Sequence, residues 1–213
     1  MSAVPSARMG RRMTDAPTRL FHGFLAVCFV GAHLSAESER LQRIHAFMGY
    51  TMVALLVFRF LYGWWGPRPV RWSSLVMKLR NGWAWCRSVR NPMVWLRTDV
   101  RPGQNFALVL ATTGLLVLPL PLLFSGHVLY AGSADWLEEV HEFMANAMLL
   151  LVFLHLALLL VLSILRKKNL AWSMWRARVP ETGPDLVASP RLALALCVLV
   201  MSCSFGIWAA FFI

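Results

Sequence analysis

Residues 136–165 read WLEEVHEFMANAMLLLVFLHLALLLVLSIL. Positions 143–165 carry no formal charge, and a run of that length spans the hydrocarbon of a bilayer, which takes about 20 helical residues. Yet His155 lies inside the run and His141 just before it. The two imidazoles are fourteen residues apart. At about 1.5 Å and 100° per residue they stand roughly 21 Å apart on nearly the same helix face. One ring belongs near each edge of the membrane, a spacing that suits two stacked sites better than one.

The rest of the chain agrees with a membrane setting. Of 213 residues, 58% are hydrophobic and 15% charged, against roughly 45–50% and 25% in soluble domains. Five stretches are expected to span, near 17–36, 44–65, 105–126, 141–165 and 192–213. The first is expected to be a retained span rather than a cleaved signal segment, because the next begins within ten residues and His22 lies inside it. The expected fold is an all-α integral membrane protein: a four-helix bundle plus a fifth C-terminal transmembrane helix.

Charge orients the bundle. The net charge is +11, but its distribution argues against nucleic acid. Four cationic residues lie at the N-terminal end (Arg8, Arg11, Arg12 and Arg19), eight in 66–103 and six between spans four and five, while the other two connections hold only Arg40 and Arg43. Alternate connections are basic, which places the N-terminus in the cytoplasm and the C-terminus in the periplasm of a bacterial inner membrane. The basic segments also contact anionic lipid. The outer connections carry Glu37, Glu39, Asp135, Glu138, Glu139 and Glu142.

Four parts follow: an arm at 1–16, a core at 17–170, a flexible linker at 171–190 and an accessory helix at 191–213. Asp15 and Pro17 read as the start of the first span. Ser35 reads as the N-cap of the second, with Glu37 and Glu39 in its first turn. Residues 66–103 interleave Trp72, Trp83, Trp85 and Trp95 with cations and prolines (Pro67, Pro69, Pro92, Pro102), as a helix lying in the headgroup layer does. Pro119 and Pro121 are expected to kink the third span. The four cysteines form no C-x-x-C-H motif, so covalent haem attachment is not indicated.

All six histidines fall in or beside the first four spans, where ionisable groups are costly. With this topology His22 and His155 share the inner depth, and His45 and His141 the outer. Two imidazoles are too few for a closed zinc site, which needs four ligands. They suffice for haem, whose porphyrin supplies the rest. We therefore read His22 and His155 as axial ligands of an inner haem, and His45 and His141 as those of an outer one. Arg19 and Arg59 are candidate propionate partners, with snorkelling to the interface as the alternative for Arg59. Gly49 and Gly114 are candidates for haem packing, Gly114 equally for helix packing. His33 reads as an interfacial group, and His127 as part of the outer loop after the third span.

These residues resemble the prokaryotic cytochrome b561 family, which includes the b-type cytochrome subunit of nickel–iron hydrogenases. The marks are R-x-x-H (Arg19, His22), H-x-x-x-G-Y (His45, Gly49, Tyr50) and F-R-x-x-x-G (Phe58, Arg59, Gly63). A W-L-E-x-x-H-E…H pattern follows (Trp136, Leu137, Glu138, His141, Glu142, His155). The likeness runs from residue 14 to about 170. It implies a four-helix core with two non-covalent b haems that passes electrons across the membrane, often to or from quinone, with its ligand positions on the same four histidines. Two departures stand out. Gly23 replaces the aromatic that usually follows the first ligand, opening space beside the inner haem, and RPGQN replaces the usual approach to the third span.

The expected function is a respiratory electron carrier between the quinone pool and a periplasmic redox protein, such as a c-type cytochrome or a dehydrogenase or hydrogenase subunit. No residue is assigned as catalytic, and a carrier or oxidoreductase subunit is favoured over a stand-alone quinone-linked enzyme. The alternatives are a superoxide:quinone oxidoreductase and, behind it, a haem-free metal-binding membrane protein. The acidic outer face opposes an anionic substrate and suits a basic donor.

Overall fold

The computed structural model describes residues 11–89, 99–132, 136–179 and 184–212. Arg8, Pro92, Trp95, Asp135, linker positions 180–183 and the C-terminal residue of the last expected span lie outside the described residues. In chain order the elements are β1 (Arg11–Arg12), α1 (Ala16–Ser35), α2 (Gln42–Trp65), α3 (Trp72–Ser88), α4 (Arg101–Val117), α5 (Pro119–Tyr130), α6 (Leu137–Arg166), α7 (Leu170–Trp175), β2 (Arg178–Val179) and α8 (Leu192–Phe212).

Local chemistry explains the boundaries. Asp15 caps α1, its carboxylate accepting from Thr18 N at 3.2 Å, with Pro17 in the first turn. Ser35 is not a cap for α2. It closes α1, its hydroxyl donating back to the Gly31 and Ala32 carbonyls at 2.7 and 3.1 Å, and a 3-10 turn at Glu39–Leu41 leads into α2. The third span is divided at Leu118. Pro119 and Pro121 have no N–H to continue the ladder, so α4 ends and α5 begins there. Helix α6 ends with Lys167 in the left-handed region (φ 50°), and Lys168 N–H bonds to the Ser163 carbonyl at 3.1 Å.

Four helical stretches are long and apolar enough to cross a membrane among the described residues: Glu39–Trp65, Arg101–Tyr130, Leu137–Arg166 and Leu192–Phe212. Helix α1 is not one of them, although a span was expected there. Its 20 residues include Arg19, His22 and His33, and each lowers its hydropathy.

The helices form two layers. Helix α1 packs on α2, and α4 and α5 pack on α6, whereas α6 makes no extensive backbone approach to α1 or α2. Side chains bridge the space between: Phe21, Cys28 and Phe29 from α1, Met52, Leu55 and Leu56 from α2, Leu122 from α5 and Met148 from α6 share one buried cluster. The outward face of α6 exposes Leu150, Phe153, Leu160 and Ile164, as a helix in hydrocarbon does.

Helix α8 is more than an accessory. Its packing along α2 is the most extensive between any two helices. Small residues make this close approach, as in membrane helix pairs generally. A Cβ on Gly206 would strike Thr51 Oγ1 and come within 3.0 Å of the Phe47 carbonyl oxygen, and Ala209 and Ala210 pack on Ala46 and Tyr50. Both ends are fastened. At one end Tyr130 Oη donates to the Ala210 carbonyl at 3.0 Å. At the other, Asp15 is wholly buried and accepts from the Tyr62 hydroxyl, while Arg191 donates to that hydroxyl at 2.7 Å and lies 4.0 Å from the carboxylate.

The linker is likewise held over its described part. β1 pairs antiparallel with β2, Asp185 accepts from Arg12 N at 2.7 Å, Leu186 N donates to the Arg12 carbonyl at 3.0 Å, and Ala16 N donates to the Pro190 carbonyl at 2.9 Å. The RPGQN segment has a comparable role: Gln104 and Asn105 accept from the Arg166 guanidinium at 3.1 and 2.8 Å, tying the start of α4 to the end of α6. Helix α3 rests on the start of α4, Gly82 against Phe106 and Trp85 against Gly103.

Two substitutions test this framework by thermal unfolding in detergent. Gly206→Leu is expected to destabilise by about 1–3 kcal/mol through overpacking against main chain that cannot yield. Tyr62→Phe, which removes the donor to a buried carboxylate, is expected to cost about 1.5–3 kcal/mol.

Candidate cofactor sites between the helices

Helix α6 carries His141 near its start and His155 on its fourth turn beyond, and His141 meets a histidine of the other layer. At the end of the bundle where the connections are acidic, the rings of His45 (α2) and His141 (α6) lie 6.1 Å apart between centroids, inclined at 69°. That spacing is that of an edge-to-face ring contact, and it also matches one metal centre with bonds of about 2 Å to each ring.

Both rings are oriented by neighbours. His45 Nδ1 lies 2.9 Å from the Ala32 carbonyl oxygen. His141 Nδ1 lies 3.0 Å from the Leu122 carbonyl oxygen and 3.1 Å from Ser125 Oγ. A carbonyl only accepts, so each Nδ1 must carry the hydrogen. In the neutral imidazole the lone pair then sits on Nε2, the tautomer that second-shell carbonyls select in metal-binding histidines. Ala32 can serve because α1 ends there: Ala36 N–H turns to His33 at 3.4 Å, so the Ala32 carbonyl loses its main-chain donor and is shared by Ser35 Oγ and His45. Gly126 completes the support of His141. A Cβ there would sit 2.8 Å from His141 Cε1.

At the basic end, His155 (α6) and His22 (α1) are within electrostatic range of one another. His22 is exposed and His155 half-buried, and His155 Nδ1 is buried without a hydrogen-bond partner. Arg59 offers a second orphan. Its guanidinium lies over the Trp72 ring at 5.1 Å, and its Nη1 is buried without a partner. Gly63 makes room for that tryptophan, whose Nε1 donates to the Phe60 carbonyl at 2.9 Å. An arginine nitrogen buried without a hydrogen-bond partner fits an anionic group such as a porphyrin carboxylate. Arg19 is already engaged, donating to the carbonyl oxygens of Asp15 and Trp175 at 3.4 and 3.1 Å.

The remaining candidates fall out as follows. Gly49 borders open room, with Leu123 Cδ2 4.0 Å from where its Cβ would be, whereas Leu151 already fills the place beside Gly114. The space expected beside Gly23 is taken by Trp175, whose Cη2 would be 3.0 Å from an added Cβ. His33 is exposed and stacks on Phe29. His127 is not in a loop. It lies in α5, and its Nδ1 is 2.9 Å from the Tyr50 hydroxyl of α2. Among the described residues no group of three or more His, Cys, Asp or Glu gathers to hold a metal ion. The donor set therefore suits a group that brings most of its own ligands and asks the protein for two, which is what haem requires.

Ser125, Gly126, Leu122 and Ala32 escaped the sequence reading. Two of them act through main-chain carbonyls, which any residue possesses. A serine-glycine pair just past a proline break was the one available sign.

Neither a curated protein nor a solved structure matches the chain. A family model for prokaryotic cytochrome b561 matches residues 13–177, 165 of the 213 and all four facing histidines, and stops before α8. The chain belongs to the prokaryotic cytochrome b561 family of helical membrane proteins, b-type cytochromes that bind haem and act in electron transfer.

Proposed function

We propose that the protein is a di-haem b-type cytochrome that carries electrons across the bacterial inner membrane between a periplasmic redox protein and the quinone pool. The observation that carries this reading is the His45–His141 pair, whose rings meet between the helix layers at one end of α6, with His22 and His155 within electrostatic range of one another at the other. His45 and His141 would hold the outer haem, His22 and His155 the inner. Arg59 would meet an inner propionate, and Gly49 leaves room beside the outer group. When bound, each iron exchanges one electron as it passes between ferric and ferrous states.

The protein's own share is binding, orientation and exclusion of water. The Ala32 and Leu122 carbonyls hold the outer rings in the tautomer that presents Nε2. The buried cluster of Phe21, Phe29, Met52, Leu55 and Met148 lines the slot with apolar surface. Helix α1, the least apolar of the spans, is carried as a fifth membrane helix because α2 and α8 cover it. The basic end, with α3 in the headgroup layer, faces the cytoplasm by the positive-inside rule. The opposite end exposes Glu37, Glu39, Glu138, Glu139 and Glu142, which favours a basic donor such as a small c-type cytochrome. The same acidic end disfavours superoxide as substrate.

A reduced-minus-oxidised spectrum of the purified protein is expected to show b-type haem at two per chain. His22→Ala and His45→Ala are each expected to retain one, and a preparation without haem would sink the reading. For the partner, reduction by a basic c-type cytochrome is expected to slow several-fold as ionic strength rises from about 0.01 to 0.15 M, because the Debye length contracts from about 30 to 8 Å. A rate indifferent to salt would remove electrostatic docking.

A further inference from the structure

Tyr50 and His127 form a titratable pair that neither histidine site uses. Tyr50 is buried on α2, five residues beyond His45, while His127 is exposed on α5, two residues beyond Ser125, which touches His141. Their contact, Tyr50 Oη to His127 Nδ1 at 2.9 Å, thus joins the helix that carries His45 to the helix that orients His141. We propose that His127, held by Tyr50, is the proton-exchange site of the outer haem, so that electron arrival there is accompanied by proton uptake from the periplasmic side. This rests on the outer-haem reading above.

The chemistry of the two partners supports it. A phenol both donates and accepts. With His127 neutral, the Tyr50 hydroxyl donates to Nδ1; with His127 protonated, Nδ1–H donates to the Tyr50 oxygen. The hydroxyl oxygen keeps its contact with Nδ1 in either state, its O–H turning aside when the ring is protonated. His45 and His141 lack this freedom, since their Nδ1 partners include carbonyls that accept only. The exposure of His127 provides the route by which the proton enters. Among the described residues no fixed counter-charge is in contact with it. Tyr130, on the same helix, is committed to the Ala210 carbonyl, and α8 presents the ring of Phe205 to Tyr50. Arg43 of α2 stacks over Phe211 at 5.5 Å, and Glu138, Glu139 and Glu142 of α6 are exposed at the same end.

The balance is one electron from the reduced donor to the outer iron and one proton from water to the His127 imidazole, with no bond formed to the metal. The outer potential should therefore fall as pH rises, by at most about 59 mV for each tenfold drop in proton concentration.

The test is a spectroscopic redox titration of the purified protein between about pH 5.5 and 8.5, with the haems assigned from the single-haem variants His22→Ala and His45→Ala. A pH-dependent outer potential that flattens in His127→Gln, with both haems retained, is the expected result. Tyr50→Phe, which keeps the ring but cuts the link, is expected to weaken the dependence. Proton uptake on reduction, followed with an indicator dye in weak buffer, should be present in the wild type and lost in His127→Gln. An outer potential flat with pH in the wild type, or a slope unchanged by His127→Gln, overturns the proton site while two haems per chain leave the cofactor reading standing. Absence of haem overturns that reading instead.

Discussion

The Nδ1 atoms of His45 and His141 are held by main-chain carbonyls of helices to which neither histidine belongs. Much of the architecture follows from that arrangement. An imidazole free to rotate would be a poor ligand, because the wrong nitrogen would carry the proton half of the time or more. Fixing it needs an acceptor that cannot become a donor, and a carbonyl is such an acceptor. A carbonyl keeps a second lone pair beside its ladder bond, and Leu122 uses it within α5. Helix α1 ends beside His45, where the Ala32 carbonyl has lost its main-chain donor. Helix α5 has to start afresh at Pro119, so that Leu122, Ser125 and Gly126 come round to His141.

The two-layer packing serves the same end. Were α6 packed tightly on α1 and α2, there would be no slot for a broad apolar group. Instead the layers meet through side chains, and the close backbone contacts are spent elsewhere, between α1 and α2, between α4, α5 and α6, and above all between α2 and α8. Helix α8 lies beyond the family match, yet it stiffens the helix that carries His45 and Arg59. Its attachment at Asp15, Tyr62 and Arg191 also joins the start of α1 to the end of α2. The histidine positions at both ends of the slot thus depend on a helix that contains no histidine.

Much of the site was legible in the chain itself. Burying an imidazole in hydrocarbon is expensive, so histidines at membrane depth stand out, and helical periodicity together with alternating basic connections sorts them into two levels. The same reasoning overreached elsewhere. Ser35 looks like a cap because serine often is one, but its hydroxyl found nearer carbonyls in its own helix. His127 follows a proline pair and so reads as loop, yet two prolines at the start of a new helix cost nothing in missing donors. Gly23 reads as open space until Trp175, some 150 positions later in the chain, fills it.

Sequence alone determined the class of protein and the approximate helices, and it led to the expectation that His22 pairs with His155 and His45 with His141, because hydropathy, charge and period are local properties that survive without coordinates. Tertiary structure decided how the outer rings are held, which arginine is left with an unpartnered buried nitrogen, where the extra helix lies and that Tyr50 meets His127. These depend on contacts between residues distant in the chain, and on main-chain carbonyls that look the same under every side chain.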